Sequence, residues 1–329
     1  MADTLVPAAD RHKLDERHRR HRQVERQLEA ASVGADRARG LEGLQVAAGD
    51  VPEGNKGRNF VVRWFSNAFG MSREGILFPA GDLFPSLLAD PKQPQFFVSF
   101  LHYSDPGKPN RNIPATSVGY GETFGIYRFL GRRPHEGFQF NVEGALFAQF
   151  DLEARSKDLI NADYVIGFPL TYRQRSISGK FRLYHQSSHL GDEFLLNTRT
   201  NRINLSYEAA ELLSSYERKE WRGYAGAERL LRREPSDLDR LSVHSGIEYR
   251  GSKRFWRSGR WIAGVDFKNY QEHDWDLDVS FKGGIKFSQP DTNRRHVKIL
   301  AEAYKGHSPN GQFYDSRISY FGLGLYLGI

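Results

Sequence analysis

The chain has no cysteine among its 329 residues and only two methionines. The missing thiols exclude a disulfide framework, a thiolate zinc site and a cysteine nucleophile. No apolar run approaches the roughly 18 residues that a membrane-spanning helix needs. Mean hydropathy is −0.61, so a helical membrane protein is excluded. No GxGxxG opens a helix after a strand, and no Walker-type phosphate loop occurs. No apolar stretch behind a basic start follows Met1, so no secretory signal is visible there, although an exported protein is expected to carry one. What the sequence has in abundance is aromatics and glycine: 23 Phe, 15 Tyr and 32 Gly. Low hydropathy with many aromatics and glycines fits a transmembrane β-barrel, where only alternate residues face lipid.

Charge is unevenly placed. Lys and Arg number 47 against 40 Asp and Glu, a formal net charge of +7. Much of the basicity lies early, in runs such as Arg17-His18-Arg19-Arg20-His21-Arg22. Leu14, Val24 and Leu28 give only a thin apolar stripe there, which predicts a charged tail over residues 1–58, disordered or helical. Such a run can touch phosphates or anionic headgroups, but a solvated tail is the expectation, and no nucleic-acid partner is expected. Residues 59–94 open with the apolar Phe60-Val61-Val62-Arg63-Trp64-Phe65 and then carry Pro79, Pro85, Pro91 and Pro94. Prolines at this density break helix and ladder alike, so an irregular lead-in is expected.

From residue 95 to 329 the dominant signal has period two. In Gly137–Leu152, Phe138, Phe140, Val142, Leu146 and Phe150 alternate with Gln139, Asn141, Glu143 and Gln149. In Asp274–Phe287, Trp275, Leu277, Val279, Phe281, Ile285 and Phe287 oppose Asp274, Asp276, Asp278, Ser280, Lys282 and Lys286. These are opposite faces of strands, not helix faces. Further alternations fall at 95–104, 116–130, 161–174, 179–188, 201–216, 220–233, 241–250, 260–270, 295–306 and 315–328. About twelve strands follow, long enough to cross a bilayer at a tilt, where roughly 9–11 residues suffice. The fold expected is therefore all-β, an antiparallel transmembrane β-barrel closed by its last strand, with the connections 105–114 and 189–200 as long external loops. Tyr103, Tyr127, Trp221, Trp261, Tyr270 and Trp275 near strand ends are expected as interfacial aromatics. Lys282 and Lys286 share a face with acids, which predicts paired charges filling a small lumen.

The densest polar cluster closes the fifth of these strands, at Tyr184-His185-Gln186-Ser187-Ser188-His189-Leu190-Gly191-Asp192-Glu193. Phe181, Leu183, His185 and Ser187 share one face, expected to be lipid-facing. A serine hydroxyl becomes a nucleophile when a base takes its proton, and the base works better when a third group fixes its tautomer. Asn201, read as sharing an outward face with Ile203, Leu205 and Tyr207, is the expected third group, with Asn197 a second candidate. His185, His189, Asp192 and Glu193 are alternatively donors for zinc or calcium.

The His185-Gln186-Ser187 element, with an outward Asn on the next strand, resembles outer-membrane phospholipase A. That resemblance implies a twelve-stranded barrel whose outer wall carries Ser187 as nucleophile, His185 as general base and Asn201, followed by Arg202, as the His-orienting group. It further implies membrane lipid as substrate, calcium as cofactor and activation in a homodimer. Ser188-His189 stands where that family has Asn-Gly, and strict spacing would place Arg199 at the Asn position. A second resemblance, carried by Leu83-Phe84-Pro85-Ser86-Leu87-Leu88-Ala89-Asp90-Pro91 together with Tyr184 to Glu193, is to an uncharacterised bacterial family of exported proteins with a domain of unknown function. It implies an outer-membrane location over roughly residues 75–329 and brings no activity. The leading expectation is hydrolysis of phospholipid acyl esters. The alternative is a non-catalytic barrel with a structural, adhesive or narrow transport role, and a soluble β-rich protein comes third.

Overall fold

The computed structural model describes residues 75–329 except 106–107, 134, 199–201, 256–257, 289–294 and 329. The tail expected over 1–58 and the apolar run at 60–65 lie outside the described residues. Alternation of outward apolar and inward polar side chains leaves each strand two usable faces, and the chain satisfies both by closing a sheet on itself. A short strand β1 (Gly75–Leu77) precedes twelve long ones: β2 (Phe96–Asp105), β3 (Lys108–Leu130), β4 (Gly137–Asp151), β5 (Leu159–Gln174), β6 (Ile177–Leu190), β7 (Leu205–Arg218), β8 (Trp221–Glu234), β9 (Leu241–Arg250), β10 (Gly259–Tyr270), β11 (Leu277–Ser288), β12 (His296–His307) and β13 (Arg317–Gly328). A helix α1 (Asp192–Thr198) sits between β6 and β7.

Neighbours pair antiparallel throughout, and β13 pairs with β2 from Ser319↔Ser104 to Leu327↔Phe96. With β3 bonded to both β2 and β4, the twelve long strands form a closed barrel with no free edge. The barrel begins at Phe96 and ends at Gly328 on one rim; the opposite, far rim carries α1. β3 starts at Lys108, so the expected loop 105–114 is mostly strand. Pro109, Asn110 and Pro114 hide it by interrupting the apolar alternation, and the ladder with β2 shifts register between Ser104 and Asp105.

The barrel is inside-out. In β4, Gln139, Asn141 and Glu143 are buried in the lumen while Phe140 is exposed on the outer wall. In β13, Phe321, Leu323, Leu325 and Leu327 point outward and Tyr320 and Tyr326 inward. Trp221, Trp261 and Trp275 are exposed near strand ends, as interfacial anchors require. Tyr103 and Tyr270, expected beside them, instead face inward: Tyr103 packs with Leu101, Tyr304 and Tyr320, and Tyr270 lines an internal cavity. Leu323 lies mid-strand on the outer wall, so Leu323→Arg is expected to destabilise the membrane-inserted barrel by about 2–4 kcal/mol. Urea titration of barrels folded into lipid vesicles measures this; a change within error would mean that the apolar band does not face lipid.

The lumen is filled. Residues 79–95 run inside it, and Leu83, Phe84, Leu87, Leu88 and Ala89 are buried against the wall. Phe84 and Leu87 pack with Leu213 and Tyr224; Leu88 joins Phe97, Phe147, Val165, Tyr184, Ile262 and Tyr326. A segment broken by prolines cannot ladder with the sheet, so its carbonyls need other donors. Wall arginines supply them. Arg128 reaches Ala80 O and Gly81 O, Arg173 reaches Leu83 O at 2.7 Å, Arg222 reaches Pro85 O at 2.8 Å, and Arg250 reaches Ser86 O at 2.9 Å. Other luminal charges pair between nearby strands: Arg182 with Glu143 and Glu211 at 3.0 Å each, Lys180 with Glu211 at 3.1 Å, and Lys282 with Glu302 at 3.9 Å; Lys286, expected to pair in the same way, faces Arg250 and Arg260 instead. Pairing is what makes such charges tolerable away from water.

Candidate functional site on the outer wall

Strand β6 alternates as the residue types demand. Tyr184, Gln186 and Ser188 are buried toward the lumen, whereas Phe181, Leu183, His185 and Ser187 line the outer wall toward the far rim. Antiparallel register sets their neighbours. His185 lies between Ile166 of β5 and Glu208 of β7; Ser187 lies between Tyr164 and Ser206. His185 Nδ1 is 3.3 Å from Glu208 Oε1, with both side chains about two-fifths exposed. The second oxygen of Glu208 is shielded and has no hydrogen-bond partner among the described residues. His185 and Ser187 share the face two residues apart, without a hydrogen bond between them.

Asn201 lies outside the described residues. The outward face assigned to its strand is corrected: Leu205 and Ala209 are buried, and Tyr207 packs in a T-shaped contact against the inward Tyr184. The residues of β7 that look outward are Ser206, Glu208, Ala210 and Leu212. The apolar-outward rule fails here because the luminal face also carries apolar side chains that pack within the filled barrel. Asn197, on α1, bonds Asp158 Oδ2 at 3.0 Å. Glu208 is the residue that sequence reasoning missed. Its signal is the hairpin register, which sets it opposite His185 once β7 is known to begin at Leu205.

Of the four donors considered for a metal here, His185 pairs with Glu208, and His189, Asp192 and Glu193 do not gather into a ligand group among the described residues. His189 is exposed, its ring against Tyr164 with centroids 5.7 Å apart. Asp192 and Glu193 are exposed in the first turn of α1. A hard cation such as calcium takes oxygen ligands, six to eight of them by rule of thumb (about 6–8); the two carboxylates suit it and the imidazole does not.

Beneath the wall, a buried network holds β6. Ser188 Oγ donates to Asp163 Oδ1 at 2.5 Å and lies 3.1 Å from Asn161 Oδ1. Asp163 also pairs with Lys92 and accepts the Gly311 N–H at 3.1 Å. Gln312 Nε2 donates to Ser188 O and Ile203 O, both at 2.8 Å. The luminal segment and the β12–β13 connection are thus tied to the strand that presents Ser187, which limits its motion.

The family described as "Protein of unknown function (DUF1207)" matches residues 67–329. No curated protein sequence matches the chain. Among solved structures, outer membrane phospholipase A from Escherichia coli is similar at 12% identity with a TM-score of 0.51, over 75% of this chain and 95% of that one. A Salmonella typhi outer membrane phospholipase, a dimer with bound calcium, has 12% identity and a TM-score of 0.49 over 74% and 94% of the two chains. The transport unit of the autotransporter AIDA-I from Escherichia coli has 12% identity and a TM-score of 0.39 over 76% and 95%. At such identities the likeness is one of fold, an outer-membrane-type antiparallel barrel.

Proposed function

Given that the chain belongs to the DUF1207 family of proteins of unknown function, we propose that it is an outer-membrane barrel that hydrolyses phospholipid acyl esters with Ser187, His185 and Glu208. The observation carrying this reading is the pairing of His185 Nδ1 with Glu208 on the outward face that also presents Ser187. A carboxylate at Nδ1 holds the proton on that nitrogen and leaves Nε2 as the base. The site lies toward the far rim of a lipid-facing wall, at the level where ester groups of the outer leaflet sit. Ser187 Oγ attacks the ester carbonyl as its proton passes to His185. The tetrahedral intermediate then expels the lysolipid oxygen, which takes that proton. Water, deprotonated by His185, releases the fatty acid from Ser187 and restores the hydroxyl.

Asn201 is replaced in this reading by Glu208 as the orienting group. Calcium is proposed as an activator whose oxygen ligands from this chain would be Asp192 and Glu193, and a second copy of the chain as the partner. The test is release of fatty acid from phospholipid–detergent micelles containing calcium, together with labelling by a fluorophosphonate. Release with the label on Ser187 is expected; no release and an unlabelled Ser187 would overturn the proposal. The second reading is a non-catalytic structural, adhesive or narrow transport barrel; one observation favours its structural form, since residues 79–95 occupy the lumen and are tied to arginines of four strands.

A further inference from the structure

Away from the outer wall, three donors from separate segments meet inside the far rim. His273 ends the 3-10 turn Gln271–His273 after β10, Asp278 opens β11, and His307 closes β12. Their ligand atoms all lie within 4.8 Å of one another. Asp278 and His307 are buried. Asp278 Oδ1 accepts the backbone N–H of His307 at 2.7 Å and lies 3.3 Å from its Nδ1. The His273 ring stacks on that of His307, with centroids 3.7 Å apart and planes 16° from parallel. Gly306 permits this approach: its φ is +152°, and a Cβ there would overlap the Asp278 carboxylate.

Hydrogen bonding leaves His273 unexplained. Both of its ring nitrogens are shielded from solvent, and neither has a hydrogen-bond partner among the described residues. An imidazole always carries at least one N–H and, when neutral, a lone pair. Leaving a buried polar group unmet costs about 1–3 kcal/mol, so such an orphan asks for a ligand.

We infer that His273, Asp278 and His307 form a binding site for a divalent transition-metal ion of the zinc class. Two imidazole nitrogens and one carboxylate oxygen are the donor types zinc takes, and three protein ligands leave a fourth position open. Calcium is the poorer match, since it prefers an all-oxygen shell. The fourth position has room for water. A cavity of about 80 Å³ adjoins all three residues and is also lined by Lys268, Tyr270 and Ser280. Tetrahedral metal bonds of about 2.0–2.1 Å set ligand atoms roughly 3.4 Å apart; Asp278 Oδ1 and His307 Nδ1 already stand at 3.3 Å, and the other separations, all within 4.8 Å, close toward that value on binding. The ion would join the β10–β11 connection to the end of β12. This site faces the lumen and is independent of the wall residues His185, Ser187 and Glu208.

The experiment uses the full chain without an affinity tag, folded in detergent, stripped with a chelator and titrated calorimetrically with zinc chloride. His12, His18 and His21 offer background sites common to every variant, so the reading is the difference between variants. Wild type is expected to bind one equivalent that His273→Ala and His307→Ala lose, with affinity about 100-fold or more weaker. Zinc is also expected to raise the thermal midpoint of wild type and not that of His273→Ala. Unheated gel mobility verifies that each variant is folded. Equal stoichiometry and affinity in wild type and His273→Ala overturns the site. So does loss of the equivalent on His189→Ala instead, which would move the metal to the outer rim.

Discussion

Ser187→Ala is expected to lower the rate of phospholipid hydrolysis by about 10⁴–10⁶-fold while leaving the barrel folded. The side chain is on the outer wall with no hydrogen bond to other described residues, so its removal leaves no buried group unpaired. His185→Ala is expected to lose as much, because a nucleophile and its base act as one unit. For the same reason the double variant should be no worse than either single one. Glu208 separates this arrangement from one built on Asn201. The carboxylate lies 3.3 Å from His185 Nδ1; Glu208→Gln keeps its size but removes its charge and offers an amide that favours the wrong tautomer. A loss of about 10²–10⁴-fold in kcat is expected for Glu208→Gln, with Asn201→Ala close to wild type. Full activity in Glu208→Gln together with collapse in Asn201→Ala would return the orienting role to Asn201. Full activity in Ser187→Ala would end the hydrolase reading.

Glu248→Ala is expected to destabilise the barrel by about 3–5 kcal/mol, the cost of breaking a buried ion pair from one side. Glu248 is fully buried, and its carboxylate serves two structures at once. Oε1 accepts the N–H of Leu88, on the luminal segment, at 2.6 Å. Oε2 accepts from Arg250 at 2.7 Å and from Arg222 at 3.4 Å. Arg222 is itself buried, lies over the Phe84 ring at 4.4 Å, and already has two guanidinium nitrogens without hydrogen bonds. Deleting the carboxylate leaves that charge only the more distant Glu217, 4.0 Å from its Nε, and takes the acceptor from the Leu88 N–H. Glu248→Gln still accepts from Leu88 and should cost less. Glu248→Leu combined with Arg222→Met should recover only part of the loss, because it removes both buried charges but leaves the Leu88 N–H and the Pro85 carbonyl without these partners. Denaturant midpoints of barrels folded into vesicles give the three values, with gel mobility of unheated samples reporting closure. A Glu248→Ala midpoint equal to wild type would mean that the luminal segment is held without this pair.

How far the sequence reveals such features depends on the distance over which each is encoded. The strands of the barrel are legible because lipid outside and charge inside impose period two within one strand, as in Phe138 to Phe150. Where that contrast weakens, the reading slips. Leu205 and Tyr207 look like a lipid face but turn inward. Tyr103 looks like an interfacial anchor but packs with Tyr304 and Tyr320. Both follow from a lumen lined in part by apolar and aromatic side chains. The prolines at 79, 85, 91 and 94 announce an irregular segment, and nothing local says that it runs inside the barrel. That placement depends on carbonyl acceptors meeting Arg128, Arg173, Arg222 and Arg250, which come from four different strands.

The amino-acid sequence by itself determined the class of architecture: no thiol chemistry, no spanning helix, and about twelve long alternating strands with an apolar last strand to close them. It also marked His185 and Ser187 as neighbours on an outward face, because residues two apart on a strand share a side. Only the tertiary structure decided which group accompanies His185, what fills the lumen, and that His273, Asp278 and His307 converge. Those are relations between strands, set by register and closure. A one-residue change of register would turn every such pair to the opposite face while leaving the sequence pattern of each strand untouched.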